Sequence, residues 1–212
     1  MPLMKSLFAT ALTVLGLSSA VAAPVSFSVS PISFVAGAGY GVDANEVGGT
    51  LLDVSFNAVP GFQGFVLNAP ADSASLNFGS VTLNETGLIN ANETDDLGVL
   101  ALFLFQQPFA GAQAVAASGT AVVGLVNDLD IDLTIAWNPL NVAFGNGGLF
   151  RITMDTLNFR LSGQTRDVTA TVTLLNAPQP IPVPGTLVLA LAGLALVNLV
   201  GVGRRGRRTE SA

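Results

Sequence analysis

Between positions 129 and 137 the chain alternates without interruption. Leu129, Ile131, Leu133, Ile135 and Trp137 fall on one register, and Asp130, Asp132 and Thr134 on the other. Side chains two residues apart share one face of an extended strand, whereas a helix would scatter them around its axis. The pattern therefore predicts a half-buried strand. It recurs in Val25, Phe27 and Val29; in Val54, Phe56 and Ala58; and in Ala74, Leu76 and Phe78. Later rows are Phe150, Ile152 and Met154, then Leu157, Phe159 and Leu161, then Val168, Ala170, Val172 and Leu174. Each row is a candidate core face with a polar face opposite.

Glycine- and asparagine-rich breaks separate these rows, among them Gly48-Gly49, Pro60-Gly61, Asn138-Pro139 and Gly145-Asn146-Gly147-Gly148. Such residues supply the turn geometry that chain reversals require. Residues 97–105 form a continuous apolar run, which predicts a central strand covered on both faces. Residues 110–126 are ambiguous: the alanines favour helix, while Gly119, Thr120 and the valines favour strand after position 119. Many short strands with few helical patterns point to an all-β fold, an antiparallel sandwich or jelly roll occupying residues 23–175.

The two ends of the chain have a different character. Lys5 precedes a short apolar stretch at 7–17, and Ala20-Val21-Ala22 is a small-x-small cleavage signal, so residues 1–22 read as a secretory signal peptide cut after Ala22. At the other end Pro178, Pro180, Pro182 and Pro184 mark residues 176–184 as an extended, semi-rigid linker. Residues 185–203 follow, with Asn198 as their one strongly polar side chain. About 19 residues of helix span about 28 Å, close to a hydrocarbon core of about 30 Å. Nothing polar divides 187–197 into two faces, as a half-buried soluble helix would require. The stretch therefore reads as a transmembrane helix. Arg204, Arg205, Arg207 and Arg208 then act as a stop-transfer cluster, with 204–212 as a cytoplasmic tail and the body of the protein outside. A lipid-anchor signal also pairs small residues with a hydrophobic tail, but it lacks such a terminal arginine block.

The order Pro182-Val183-Pro184-Gly185, an apolar helix and Arg204-Arg205 resembles the PEP-CTERM sorting domain of Gram-negative bacteria. Val183 stands where that family has glutamate. The resemblance covers about 35 residues and concerns sorting alone. It implies export through a Sec-type translocase, processing near the Pro-Val-Pro-Gly segment by an exosortase-like membrane enzyme, and association with exopolysaccharide or biofilm. An inner-membrane precursor would become a cell-surface or matrix protein.

Between the two ends the acids far outnumber the bases. Setting aside Lys5, Glu210 and the four tail arginines leaves 13 acidic residues against Arg151, Arg160 and Arg166, a net charge of −10. Such a surface repels phosphate backbones and excludes nucleic-acid binding. Cysteine and histidine are absent from the entire sequence. That removes disulfides, thiol nucleophiles, Ser-His-Asp triads and zinc sites built on those ligands. No cofactor motif is present, and the expectation is a non-catalytic protein. The alternatives are a permanently anchored surface module binding carbohydrate or calcium, and a glycan hydrolase that needs only two well-spaced carboxylates.

Asp128, Asp130 and Asp132 are the sharpest acidic row. On a strand they would project from one face about 7 Å apart, too widely for a single ion unless the chain bends. With Asn127 they are weak candidates for calcium, which takes 6–8 oxygen ligands; the plain reading is a solvated strand face that discourages edge pairing. Glu93, Asp95 and Asp96 form a second cluster on a loop. Trp137 and Tyr40 could stack on a sugar, although Trp137 continues the apolar row of its strand and so reads as core.

Overall fold

The computed structural model describes residues 23–43 and 48–179. The cleavage signal at Ala20 and Ala22, the sorting motif Pro182, Val183, Pro184 and Gly185, the apolar segment 185–203 and the arginines Arg204, Arg205, Arg207 and Arg208 all lie outside the described residues.

Thirteen strands and one 3-10 turn account for most of what is described. In chain order they are β1 (Val25–Ala36), β2 (Val54–Ala58), β3 (Gln63–Leu67), β4 (Ser73–Leu83), β5 (Leu88–Ile89), the 3-10 turn η1 (Ala91–Glu93), β6 (Gly98–Gln107) and β7 (Gly111–Ala121). There follow β8 (Gly124–Leu125), β9 (Leu133–Trp137), β10 (Leu140–Phe144), β11 (Gly148–Met154), β12 (Leu157–Phe159) and β13 (Gln164–Asn176). One sheet has six strands in the order β12-β9-β7-β6-β1-β3, and a second has five in the order β10-β11-β13-β4-β2. A two-stranded pair, β5-β8, sits apart from both. Every strand pairing is antiparallel. The all-β expectation is met, in a sandwich-like form.

The alternating rows explain how the sheets meet. Phe27 and Val29 of β1, Phe103 and Phe105 of β6, and Leu133 and Ile135 of β9 are buried from one side. Phe78 and Val81 of β4, Phe150 and Ile152 of β11, and Val168, Ala170 and Val172 of β13 are buried from the other. Aromatic rings join the two layers: Phe27 meets Phe150 edge-on with centroids 5.2 Å apart, and Phe78 meets Phe103 at 4.7 Å. Rings at these separations contribute beyond their buried area. This one core has no disulfide to help it, because the chain has no cysteine.

Four expectations need correction. The strand expected from Leu129 begins only at Leu133, and Leu129 is 88% exposed. Here the chain turns: Asn127 takes φ 78°, and the Asp130 amide donates to Asp128 Oδ1 at 2.7 Å. Asparagine and aspartate favour such local turns over a ladder. The run at 97–105 is a strand, but it is covered on one face only; Leu100 and Leu104 of β6 are each 39% exposed. The alanine-rich stretch is strand from Gly111 onward, because β7 is paired on both sides, with β6 and with β9. Pairing and packing override alanine's helical preference. Finally, the β unit runs past the boundary expected at 175, into residues 176–179. Asn176 ends β13, Ala177 is buried, and the Gln179 amide donates to the Asn146 carbonyl at 2.8 Å. The compact unit closes at Gln179.

Candidate functional site

The Asp128–Asp130–Asp132 row does not form an array on one strand face. Asp128 and Asp130 are exposed on the turn before β9, whereas Asp132 is only 4% exposed. The turn is pinned to the strand next in space: the Asp132 amide donates to the Phe159 carbonyl at 2.9 Å, and Arg160 Nη1 donates to the Leu129 carbonyl at 3.0 Å. Asn127 Oδ1 accepts from the Ser162 amide at 2.8 Å, so its side chain closes the loop. Among the described residues no group of three or more acids is disposed to hold a metal ion.

Asp132 Oδ2 is buried without a hydrogen-bond partner. Burial raises the Asp132 pKa above the usual carboxylate range, the neighbouring charges of Asp128 and Asp130 raise it further, and the Asn127 backbone works the other way. A raised carboxylate pKa means that the folded state holds the proton more tightly than the unfolded chain. Its contribution to stability is complete below the ordinary carboxylate pKa and is lost as pH rises through the elevated one. Asp132→Asn keeps the shape and removes the charge. It should therefore melt higher than the parent at pH 7, with the difference shrinking toward pH 4. Thermal melts across that range check it; a lower melting temperature at pH 7 would show that the carboxylate stabilises the fold.

The two rings considered for sugar stacking belong to the core. Trp137 is buried, 6.1 Å from Phe34, and the Tyr40 hydroxyl donates to the Leu97 carbonyl at 3.1 Å. Burial pushes the Tyr40 phenol well above its ordinary pKa, so it stays neutral. Gly119 of β7 makes room for it, since a Cβ there would run into the Tyr40 hydroxyl and the Leu97 backbone. Neither ring offers a face to solvent.

Glu93 is likewise a structural acid. It is buried, and Oε2 accepts from the Asn90 amide at 2.7 Å, closing a capping-box contact around η1. Asp43 Oδ2 ties the next loop by accepting from the amides of Thr50 and Leu51 at 2.6 and 3.0 Å. A shallow hollow of about 250 Å³ is lined by Asp155, Asn158, Arg166 and Asp167. Arg166 Nε is engaged there with the Asn158 carbonyl at 3.2 Å.

The two outer faces contrast in a way that alternation alone does not reveal. The five-stranded sheet turns hydroxyls outward, and these bond across strands: Ser75 to Thr171 at 3.0 Å and Thr82 to Thr165 at 2.8 Å. The six-stranded sheet turns out Val35, Leu100, Leu102 and Leu104 beside Ala112, Ala114, Ala116 and Ala136. None of its six strands contains a charged residue. The signal available in the sequence was the absence of charge from 98–121 combined with alternation inside an apolar run.

Compared with known proteins, the chain matches no family model, no curated protein and no solved structure. Among the described residues no helix is long and apolar enough to cross a membrane.

Proposed function

We propose that this is a non-catalytic exported protein of a Gram-negative cell envelope or extracellular matrix, sorted through its C-terminal tail. The observation that carries the reading is the order of that tail: Pro182-Val183-Pro184-Gly185, an apolar stretch of spanning length, then four arginines. The signal peptide directs the chain to a Sec-type translocase. The apolar stretch enters the bilayer, and Arg204, Arg205, Arg207 and Arg208 stay on the cytoplasmic side because moving them through hydrocarbon is too costly. The Pro-Val-Pro segment then lies at the outer interface, where an exosortase-like enzyme reaches it, and the released body joins an exopolysaccharide or biofilm matrix.

The described residues support this reading in two ways. The β unit closes at Gln179, so in sequence it ends before Pro180, Pro182 and Pro184. Its core needs no disulfide, so the fold does not depend on an oxidising machinery outside the membrane. The burial of Tyr40 and Trp137 removes the two rings that could have stacked on a glycan, which favours a structural role over glycan hydrolysis.

Replacing all four arginines with glutamine tests the topology. The altered chain should lose most of its retention in the membrane fraction and appear as unprocessed, fully exported material. Retention equal to that of the parent would contradict a stop-transfer role.

A further inference from the structure

We propose that the outer face of the six-stranded sheet docks onto the same face of a second copy of this chain. Charge is the first argument. The body carries 13 acids against three arginines, so two copies repel one another across most approaches. The strands β12, β9, β7, β6, β1 and β3 contain no Asp, Glu, Lys or Arg. Two copies meeting on these strands bury no charge from them, with Asp96 left at the rim, and so avoid the cost of desolvating one.

The second argument is what the face presents instead. Leu100 and Leu104 are each 39% exposed, Val35 47%, Ile32 44% and Val66 52%. Register sets Leu102 directly opposite Ala114, with Leu104 opposite Ala112 and Leu100 opposite Ala116. A row of leucines thus lies beside a row of exposed alanines. A two-fold axis parallel to the strands, running between β6 and β7 at the level of Leu102 and Ala114, would lay each leucine row against the partner's alanine row, large against small. That is the self-complementarity an isologous pair requires. Sheets already pack this way within sandwiches, at a small angle set by their twist. A shallow hollow of about 510 Å³, lined by Val35, Gly98, Leu100 and Ala116, lies at one end of the face, where the exposed Asp96 of the loop before β6 marks its charged rim.

Area is the third. Six strands spaced about 4.8 Å apart are roughly 24 Å wide, and about eight residues along the central strands add roughly 27 Å. Each copy would cover about 650 Å², or about 1,300 Å² for the pair, within the range of specific interfaces. The outer face of the other sheet is unsuited to this role: its ladder of Ser and Thr hydroxyls is accompanied by Arg151 and Asp167.

The absence of cysteine makes the test clean. Ala114→Cys places the only thiol on the proposed interface, and Ser75→Cys places it on the hydroxyl face of the other sheet. Full-length chains carrying either change are treated with a short bis-maleimide in the cells that produce them. The expected result is a covalent homodimer from A114C in at least five-fold excess over S75C, falling to the control level when Ala116→Asp or Ala112→Asp is added. Equal yields would overturn the pairing. So would protection of the A114C thiol from a water-soluble maleimide without any dimer, a result that would assign the face to a bilayer or another partner. Because precursor and processed chain both retain the β unit, this outcome does not depend on whether the tail is cleaved.

Discussion

Phe150→Ala should leave the protein barely folded. Phe150 is fully buried on β11 and holds four other rings: Phe27 at 5.2 Å, Phe105 at 5.3 Å, Phe144 at 5.7 Å and Phe109 at 6.2 Å. These rings come from both sheets and from the β6–β7 connection, so truncation opens a void between layers that several elements would have to close together. Phenylalanine-to-alanine changes in cores cost about 3–5 kcal/mol. Domains of this kind have about 5–15 kcal/mol of stability in all. No disulfide limits the loss. Urea unfolding should show a midpoint lowered by a third or more, and a loss below about 1 kcal/mol would mean that the aromatic cluster does not join the sheets as described.

Gly79→Ala should be nearly as damaging for a different reason. Gly79 lies in β4 at φ +155°, beside the register shift between Val168 and Thr169 of β13. On its other side β2 passes so close that an added Cβ would strike the Asn57 carbonyl and the Ala58 Cα. These are backbone atoms of a paired strand, so no rotamer change can relieve the contact. Overpacking of this kind costs about 1–3 kcal/mol, and an unfavourable φ adds to it. A loss of at least about 2 kcal/mol is expected, with β2 loosened first. Hydrogen exchange at Phe56 and Asn57 would register that loosening. Protection equal to the parent's would show that the strand can shift aside.

The strands with the strictest inward rows were the most legible. Phe150, Ile152 and Met154, and Val168 through Leu174, sit where alternation places them, because each sheet has one face in the core and period two then fixes the register. Alternation misleads at Leu129, where aspartates at 128, 130 and 132 mimic a polar strand face, but Asp128 Oδ1 instead accepts from the Asp130 amide and the chain turns. At 97–105 the residues read as doubly buried because composition cannot distinguish an apolar face covered by the same molecule from one left open. Leu100 and Leu104 belong to the open kind. The burial of Asp132 had no signal at all, since it depends on where β12 returns beside the turn. The buried places of Tyr40 and Glu93 likewise depend on contacts with residues distant in sequence or on local caps that residue counting does not reveal.

The most direct measurement is the mass of the chain recovered from the envelope or matrix of the producing cell. Sorting and cleavage near Pro182–Gly185 should yield a species that starts just after Ala22 and has lost Arg204, Arg205, Arg207 and Arg208. A species keeping all four arginines, in cells that process other such tails, would contradict the proposal and favour a permanently anchored surface module instead.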